Sequence, residues 1–196
     1  KLLRMINDLD GDFRIRFMTS HPRDCTFELS DAMAECNKVA KHLHLPFQSG
    51  NDRVLREMNR HYDRAKYLQL IDYAYERMPE LSITSDVIVG FPGETNDEFE
   101  ETLSLIKQVQ YDALFTFIFS PRAGTPASIM DDPTSKEEKN QRFDRLCQLQ
   151  NTISEQIHQR YIGSTLRCLI DGTDKECLTA RTEGGRLVRL TGDLSL

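Results

Sequence analysis

The sequence predicts an α/β protein of repeated strand–helix units, followed by a small antiparallel β module. Two observations predict it. Between residues 14 and 161, short apolar runs alternate with longer stretches of helical period, the texture of a parallel sheet built from βα units. After Gly163 the helical spacing stops, and short alternating runs are separated by glycines.

The elements follow in order. KLLRMINDLDGDF reads as the second half of an amphipathic helix ending at Gly11, as expected of a piece excised from a longer protein. RIRFMTS (14–20) is an apolar run with aromatic and β-branched members, the first strand. Asp24 to His42 follows at helical spacing, with Leu29, Met33, Cys36, Val39 and Ala40 on its apolar side. HLHLPFQ (42–48) alternates with period two. Asn51 is placed to cap VLREMNR, and Arg64 to Met78 brings Leu68, Ile71, Tyr75 and Met78 onto one face. SITSDVIVGF (82–91) is the clearest strand. Thr95 and Glu98 form a capping box that opens a helix with Phe99, Thr102, Leu103, Ile106 and Val109 inward. ALFTFIFS (113–120) is a buried-type strand, and Ser135 to Tyr161 a long charged amphipathic helix.

That makes four strands in βα units. Pattern alone leaves open both an open doubly wound sheet and a piece of a (β/α) barrel. TLRCLIDG, CLTARTE and RLVRLTG, with turns at Gly172 and Gly184-Gly185, supply about three strands, fewer than the ~5 of a small closed barrel of the OB type. The expected division is 1–134 for the βα units, 135–161 for a linking or covering helix, and 162–196 for the β module.

Composition bounds the function. The chain has 196 residues, enough for one domain and a small second piece. With 25 basic and 31 acidic residues, the net charge of −6 excludes a chain-wide basic footprint for nucleic acid and leaves room for RNA binding by a local patch or by a segment outside this chain. From Arg160 onward, six basic residues (Arg160, Arg167, Lys175, Arg181, Arg186, Arg189) meet five acidic ones (Asp171, Asp174, Glu176, Glu183, Asp193), a nearly neutral module. No apolar run approaches the ~20 residues of a membrane helix, and the N-terminus is not a signal peptide. Cys25, Cys36, Cys147, Cys168 and Cys177 are odd in number and contain no CxxC. They read as structural thiols of a reducing compartment, with no metal site and no iron–sulfur ligand set within the chain.

Alternation along each strand sorts its two faces. In 82–91, Ile83, Val87 and Val89 point to the helices, and Thr84, Asp86, Ile88 and Gly90 point inward. A carboxylate in mid-strand of a covered sheet needs a partner or a ligand, because an unpaired buried charge is costly. The inner set is Arg16, Met18 and Ser20 in the first strand, and His44, Pro46 and Gln48 in the second. Arg16, His44 and Asp86 are therefore a candidate polar cluster. A structural Arg16–Asp86 ion pair and a ligand-contacting role both stay open.

Parallel α/β folds place their sites at the C-terminal ends of strands. Those ends carry Ser20-His21-Pro22-Arg23, Gln48-Ser49-Gly50-Asn51, Gly90-Phe91-Pro92-Gly93-Glu94 and Ser120 to Pro126. Gly50 and Gly93 permit close backbone approach or positive φ. Four turns rich in Gly, Pro, Ser and Arg point to one shared site. Arg122 suits a phosphate or carboxylate, or plain exposure. His21 alone reads as a solvated loop residue. Cys25, Cys36 and Cys147 read as packing residues, and no catalytic residue stands out.

HLPFQSGNDRVLREMNR, SDVIVGFPGET with DEFEETL, and TFIFSPRAGTPAS, in this order and spacing, resemble the radical S-adenosylmethionine methylthiotransferases over about residues 14 to 130, and the helix and β piece to 196 fit the family layout. The resemblance is greatest to the branch acting on N6-dimethylallyladenosine in tRNA, then to the threonylcarbamoyladenosine branch. The ribosomal-protein branch typically carries Gln-His where this chain has Gln48-Ser49. The resemblance implies a partial (β/α)6 radical barrel, here its later βα units, followed by an incomplete TRAM-like β module that grips RNA. It implies S-adenosylmethionine and two [4Fe–4S] clusters. One cluster, on a CxxxCxxC loop, cleaves S-adenosylmethionine to a 5′-deoxyadenosyl radical. The other, on three upstream cysteines, supplies sulfur. A second S-adenosylmethionine gives the methyl group, and the thiomethyl group is installed at position 2 of the adenine beside the anticodon.

This chain has neither cysteine set, so it is expected to be inactive alone. The resemblance assigns Gln48 and Ser49 to ribose contacts, and Ile88 and Gly90 to the adenine. Asp86 fits the polar inner face beside them. Arg16, Ser120 and Arg122 become candidates on the substrate side. The motif's usual Glu is offset here to Glu94, and no role is carried to it. The implied partners are tRNA and S-adenosylmethionine, with no membrane, in the cytoplasm. Exposed helix faces and strand edges would make the chain self-associate. A non-catalytic module binding a nucleotide-like ligand or a protein is the remaining alternative.

Overall fold

The computed structural model describes residues 1–18, 21–174 and 176–192. Ser20, Lys175 and Asp193, named above, lie outside the described residues. The chain opens with α1 (Leu2–Asn7) and α2 (Phe27–Glu35). α2 is shorter than the expected 24–42. At Cys36 the backbone turns extended (φ −85, ψ 110), and Val39 pairs in parallel with Ile15. Cys36, Val39 and Ala40 are buried all the same, so their spacing looked helical while extended pairing buried them.

The expected first strand contracts to that one bridge. Ile15 N–H donates to Lys38 O at 2.7 Å, and Ala40 N–H to Ile15 O at 3.0 Å. Strand β1 covers His42–His44 rather than 42–48. Pro46 has no N–H to offer a ladder, and the Phe47 N–H goes instead to Ser85 Oγ at 2.9 Å. Pairing resumes at Gln48, whose N–H donates to Asp86 O and whose carbonyl accepts from Ile88 N–H, each at 2.9 Å.

Helices α3 (Asp52–Glu57) and α4 (Arg64–Arg77) lead to β2 (Ser82–Val89), then α5 (Asn96–Val109) and β3 (Ala113–Ile118). The Asn51 cap and the Thr95–Glu98 capping box form as the sequence predicts. The sheet runs β1-β2-β3, all parallel. Its outer face, with Ile83, Val87 and Val89, joins one core with Ile71, Phe99, Leu103, Leu146 and Ile153. Burying such side chains contributes ~1.5–3 kcal/mol each. Helix α6 (Lys136–Gln159) supplies Leu146 and Ile153 and closes this layer. The inner face stays open: Phe115 and Phe117 are each 52% exposed.

Strands β4 (Leu169–Asp174), β5 (Cys177–Arg181) and β6 (Leu187–Leu190) form an antiparallel meander. Arg186 fastens it to the parallel sheet through Asp112 at 2.5 Å. Arg14 and Arg16 add donations to the Arg181 and Thr182 carbonyls at 3.2 and 2.7 Å.

Candidate functional site

The C-terminal ends of the parallel strands surround an open cavity of about 790 Å³. Of the eight sequence-predicted contact residues, five line it: Gln48, Asp86, Ile88, Ser120 and Arg122. Gln48 is held there by pairing, for both its N–H and C=O are bonded to β2, and this pairing maintains a strained backbone with φ of +66. Asp86 and Ile88 come from β2 with side chains on the inner face. In the register, Phe115 stands opposite Asp86 and Phe117 opposite Ile88.

Asp86 has a buried imidazole beside it. His44 Nε2 lies 3.4 Å from Asp86 Oδ1. His44 Nδ1 is 2.9 Å from Thr84 Oγ1, and His42 Nε2 reaches the same hydroxyl at 3.0 Å. Phe115 packs edge-on against His44, ring centres 5.7 Å apart. The cavity therefore combines aromatic and aliphatic walls with a carboxylate, an amide and a guanidinium, the mixture that binds a polar molecule with a flat apolar part.

Three predicted residues stand elsewhere. Arg16 does not meet Asp86. It lines a second cavity of about 980 Å³ at the N-terminal ends of the strands. There its Nη2 donates to the Thr182 and Glu183 carbonyls. Burial, with Arg14 and Arg181 nearby, pushes its guanidinium below the usual range. Alternation gave the face correctly but not the height. With Ile15 opposite Val39 and His42 opposite Ser82, Arg16 sits about six residues, roughly 20 Å, below Asp86 along the strands.

The Ser49 side chain turns from the cavity. Its Oγ accepts the Asn51 N–H at 3.3 Å and lies 3.5 Å from Thr102 Oγ1. Gly90 breaks the alternation. Its φ is +71, and a Cβ there would lie 2.7 Å from Lys139 Cγ on α6, so its open side faces the outer layer. His21 sits by Arg60 Nη1 at 3.3 Å. Burial, Arg60 and Arg23 push its imidazole pKa down.

Sequence reasoning missed the aromatic walls, Phe91 and Phe117. Extending the alternation to 113–120 would have placed Phe115 and Phe117 on the inner face. The five cysteines are unpaired thiols, and burial pushes Cys25 up to about 11. Among the described residues, no group of three His, Cys, Asp or Glu side chains is placed to hold a metal ion. No helix among them is long and apolar enough to cross a membrane.

The chain is 45% identical over 196 residues to tRNA-2-methylthio-N(6)-dimethylallyladenosine synthase of Clostridium botulinum, covering 98% of this chain and 44% of that protein. The enzyme of the same name from Alkaliphilus oremlandii is 45% identical over 198 residues, covering 100% of this chain and 42% of that protein. The chain thus spans under half the length of these relatives. Among solved structures, coproporphyrinogen III oxidase (HemN) from Escherichia coli, described as a Radical SAM enzyme, superposes with a TM-score of 0.58 at 18% identity. It covers 87% of this chain and 50% of that one, a likeness of fold alone. Residues 1–106, which carry β1, β2 and most of the cavity's polar side chains, match the Radical SAM superfamily, and the chain belongs to that family.

Proposed function

We propose that this chain is part of a tRNA-modifying enzyme that methylthiolates position 2 of N6-dimethylallyladenosine next to the anticodon. The observation that carries this reading is the 45% identity, running over nearly the whole chain, to relatives named for that product. Family membership supports S-adenosylmethionine and an iron–sulfur cluster as cofactors. The second [4Fe–4S] cluster belongs to the same proposal.

S-adenosylmethionine fits the residues present. Its adenosine is flat and apolar on its faces and polar at its edges. The upper cavity offers Phe117, Phe91 and Ile88 for the faces, and Asp86 and Gln48 for the edges. When bound, this cofactor supplies the radical and the methyl group. The chain's own part is to bind and orient it. Ile88 packs on the base, Gln48 holds the ribose end, and Asp86, kept in place by His44, accepts from a donor on the ligand. Ser49 and Gly90 do not line this cavity: the Ser49 hydroxyl turns to Asn51 and Thr102, and the open side of Gly90 faces Lys139. Ser120 and Arg122 face the substrate side, where Arg122 suits a phosphate of the RNA. Arg16 belongs to the junction with the β module instead.

The iron–sulfur clusters do not fit these residues, because no suitable cysteine set is present. Their ligands then lie in parts of the protein that this chain does not contain, and the chain alone is inactive. In this reading residues 1–134 are later βα units of the radical barrel, 135–161 the covering helix, and 162–196 part of a TRAM-like module. Its partner is tRNA, which places the protein in the cytoplasm. The open inner face makes the isolated chain self-associate.

Nucleoside mass spectrometry of tRNA from cells lacking the gene tests the reading. Loss of 2-methylthio-N6-dimethylallyladenosine, with the unthiolated nucleoside accumulating, is the expected result. Loss of the methylthio group from threonylcarbamoyladenosine would move the substrate. No change would overturn the tRNA reading and favour a binding module.

A further inference from the structure

The Gly90–Glu94 turn is held by a buried charged pair. The Glu94 and Arg142 side chains are only 1% and 4% exposed. Glu94 Oε2 accepts the Gly90 N–H at 2.8 Å, so the carboxylate reaches back across its own turn. Arg142 Nη1 donates to the Glu94 carbonyl at 2.8 Å and lies 3.4 Å from Oε2. Arg142 Nη2 donates to Glu138 Oε1 at 2.5 Å, one turn earlier on α6. The neighbouring Lys139 pairs with Asp132, and its aliphatic stem fills the space a Gly90 Cβ would need. Helix α6 thus touches this turn at both ends.

A buried ion pair contributes little net stability compared with apolar residues of the same volume. What it supplies is direction, since Arg142 Nη1 and Nη2 meet their acceptors on Glu94 and Glu138 in one arrangement, while the buried Nε is left without a partner. The turn needs that constraint. Gly90 and Gly93 both have φ of +71, and glycine by itself fixes no backbone conformation. Between them Phe91 packs edge-on against Phe119, ring centres 5.1 Å apart at 71°. Both rings line the upper cavity. A shift of the turn is therefore a shift of a cavity wall.

We propose that Glu94 and Arg142 are positioning residues, which fix the Gly90–Glu94 turn so that Phe91 presents a preformed wall to the nucleoside part of the ligand in the upper cavity. α6 then serves the site as well as covering the sheet, although it lies beyond the residues 1–106 that match the family. The ligand half of the inference rests on the cofactor reading above; the turn half does not.

The test uses the full-length protein carrying this chain, with variants Arg142→Met, Glu94→Leu and Glu94→Gln. Glu94→Gln keeps an oxygen for the Gly90 N–H. The first readout is hydrogen exchange of the segment containing the Gly90 amide, by mass spectrometry. In Arg142→Met and Glu94→Leu it is expected to accelerate about tenfold, with the β2 segment unchanged and Glu94→Gln close to wild type. The second is calorimetric titration with S-adenosylmethionine, expected to weaken about tenfold in the same two variants. Unchanged exchange at Gly90 overturns the proposal. Equal acceleration throughout β2 overturns it too, because the pair would then be a general stabiliser. Local acceleration with unchanged cofactor affinity overturns the ligand half. Local acceleration in a protein whose wild type does not bind the cofactor supports the turn half and sinks the cofactor reading.

Discussion

His44 points its Nε2 at the Asp86 carboxylate, 3.4 Å away, from the strand next door. A carboxylate only accepts, so the imidazole hydrogen belongs on Nε2. His44 Nδ1 is then the acceptor for the Thr84 hydroxyl at 2.9 Å, and that hydroxyl oxygen accepts from His42 Nε2 at 3.0 Å. The three contacts have one consistent donor direction, running up the inner face from the lower cavity to the upper one. They hold one Asp86 oxygen toward His44 and leave the other for a ligand.

Asp86→Asn is therefore expected to weaken S-adenosylmethionine binding by the full-length protein about tenfold, as for loss of one charge-assisted hydrogen bond. Thr84→Val is expected to do part of the same damage from a distance. Calorimetric titration checks both. Wild-type affinity in Asp86→Asn would reduce the His44–Asp86 pair to a structural contact.

Glu98 gives a pH dependence. Arg53 donates to its two carboxylate oxygens at 2.5 and 2.6 Å, and the Thr95 N–H adds a third bond at 2.8 Å. Chiefly through Arg53, the carboxyl is held down to about 2, against an ordinary 4.5. A folded-state value below the unfolded one adds stability that is present above pH 4.5 and lost as pH falls toward 2. Glu98→Gln is expected to cost ~1–2 kcal/mol at neutral pH, less than the full shift because solvent screens the partly exposed Arg53. Urea unfolding across the acid range should show the gap to wild type closing. A gap independent of pH would assign the cost to packing.

Local signals were the legible part of this sequence. Thr95 and Glu98 announce their helix because both bonds of a capping box lie within four residues. Strand β2 is legible because its alternation is long. The stretch at 36–40 was not, since Cys36, Val39 and Ala40 are buried at spacings a helix and an extended edge can both satisfy. Of the site, Gln48, Asp86, Ile88, Ser120 and Arg122 converge as strand C-terminal ends should. Arg16 did not, because period two gives a face and not a register. Ser49 did not, because nothing in its neighbours tells that Thr102, 53 positions away, takes its hydroxyl.

Two glycines separate steric from conformational need. A Cβ on Gly50 would lie 2.6 Å from Thr102 Cα and 2.7 Å from Glu101 O, both backbone atoms that cannot step aside. Gly93 has open space but a φ of +71. Gly50→Ala is expected to destabilise by ~3 kcal/mol through overpacking, and Gly93→Ala by only ~1 kcal/mol through its left-handed backbone. Thermal unfolding of the two variants checks the order. A Gly93→Ala loss as large as that of Gly50→Ala would mean the turn tolerates less than its open surroundings indicate.

The inner face sets the behaviour of the isolated chain. Phe115 and Phe117 are each 52% exposed on the same face of β3, and Met18 is 71% exposed. Adjacent large apolar side chains on an open sheet face favour association. Light scattering of the chain is expected to show oligomers at high concentration. Phe115→Ser with Phe117→Ser should shift it toward monomer, since the pair contributes the largest rings of that face and neither reaches the outer core. The Glu98–Arg53 pair and the Arg142–Glu94 pair lie on the other side of the sheet, so the double variant should keep its fold and its far-ultraviolet circular dichroism. Oligomers that persist in the double variant would move the contact to another surface, with the exposed Leu169 and Leu187 of the β module the next to replace.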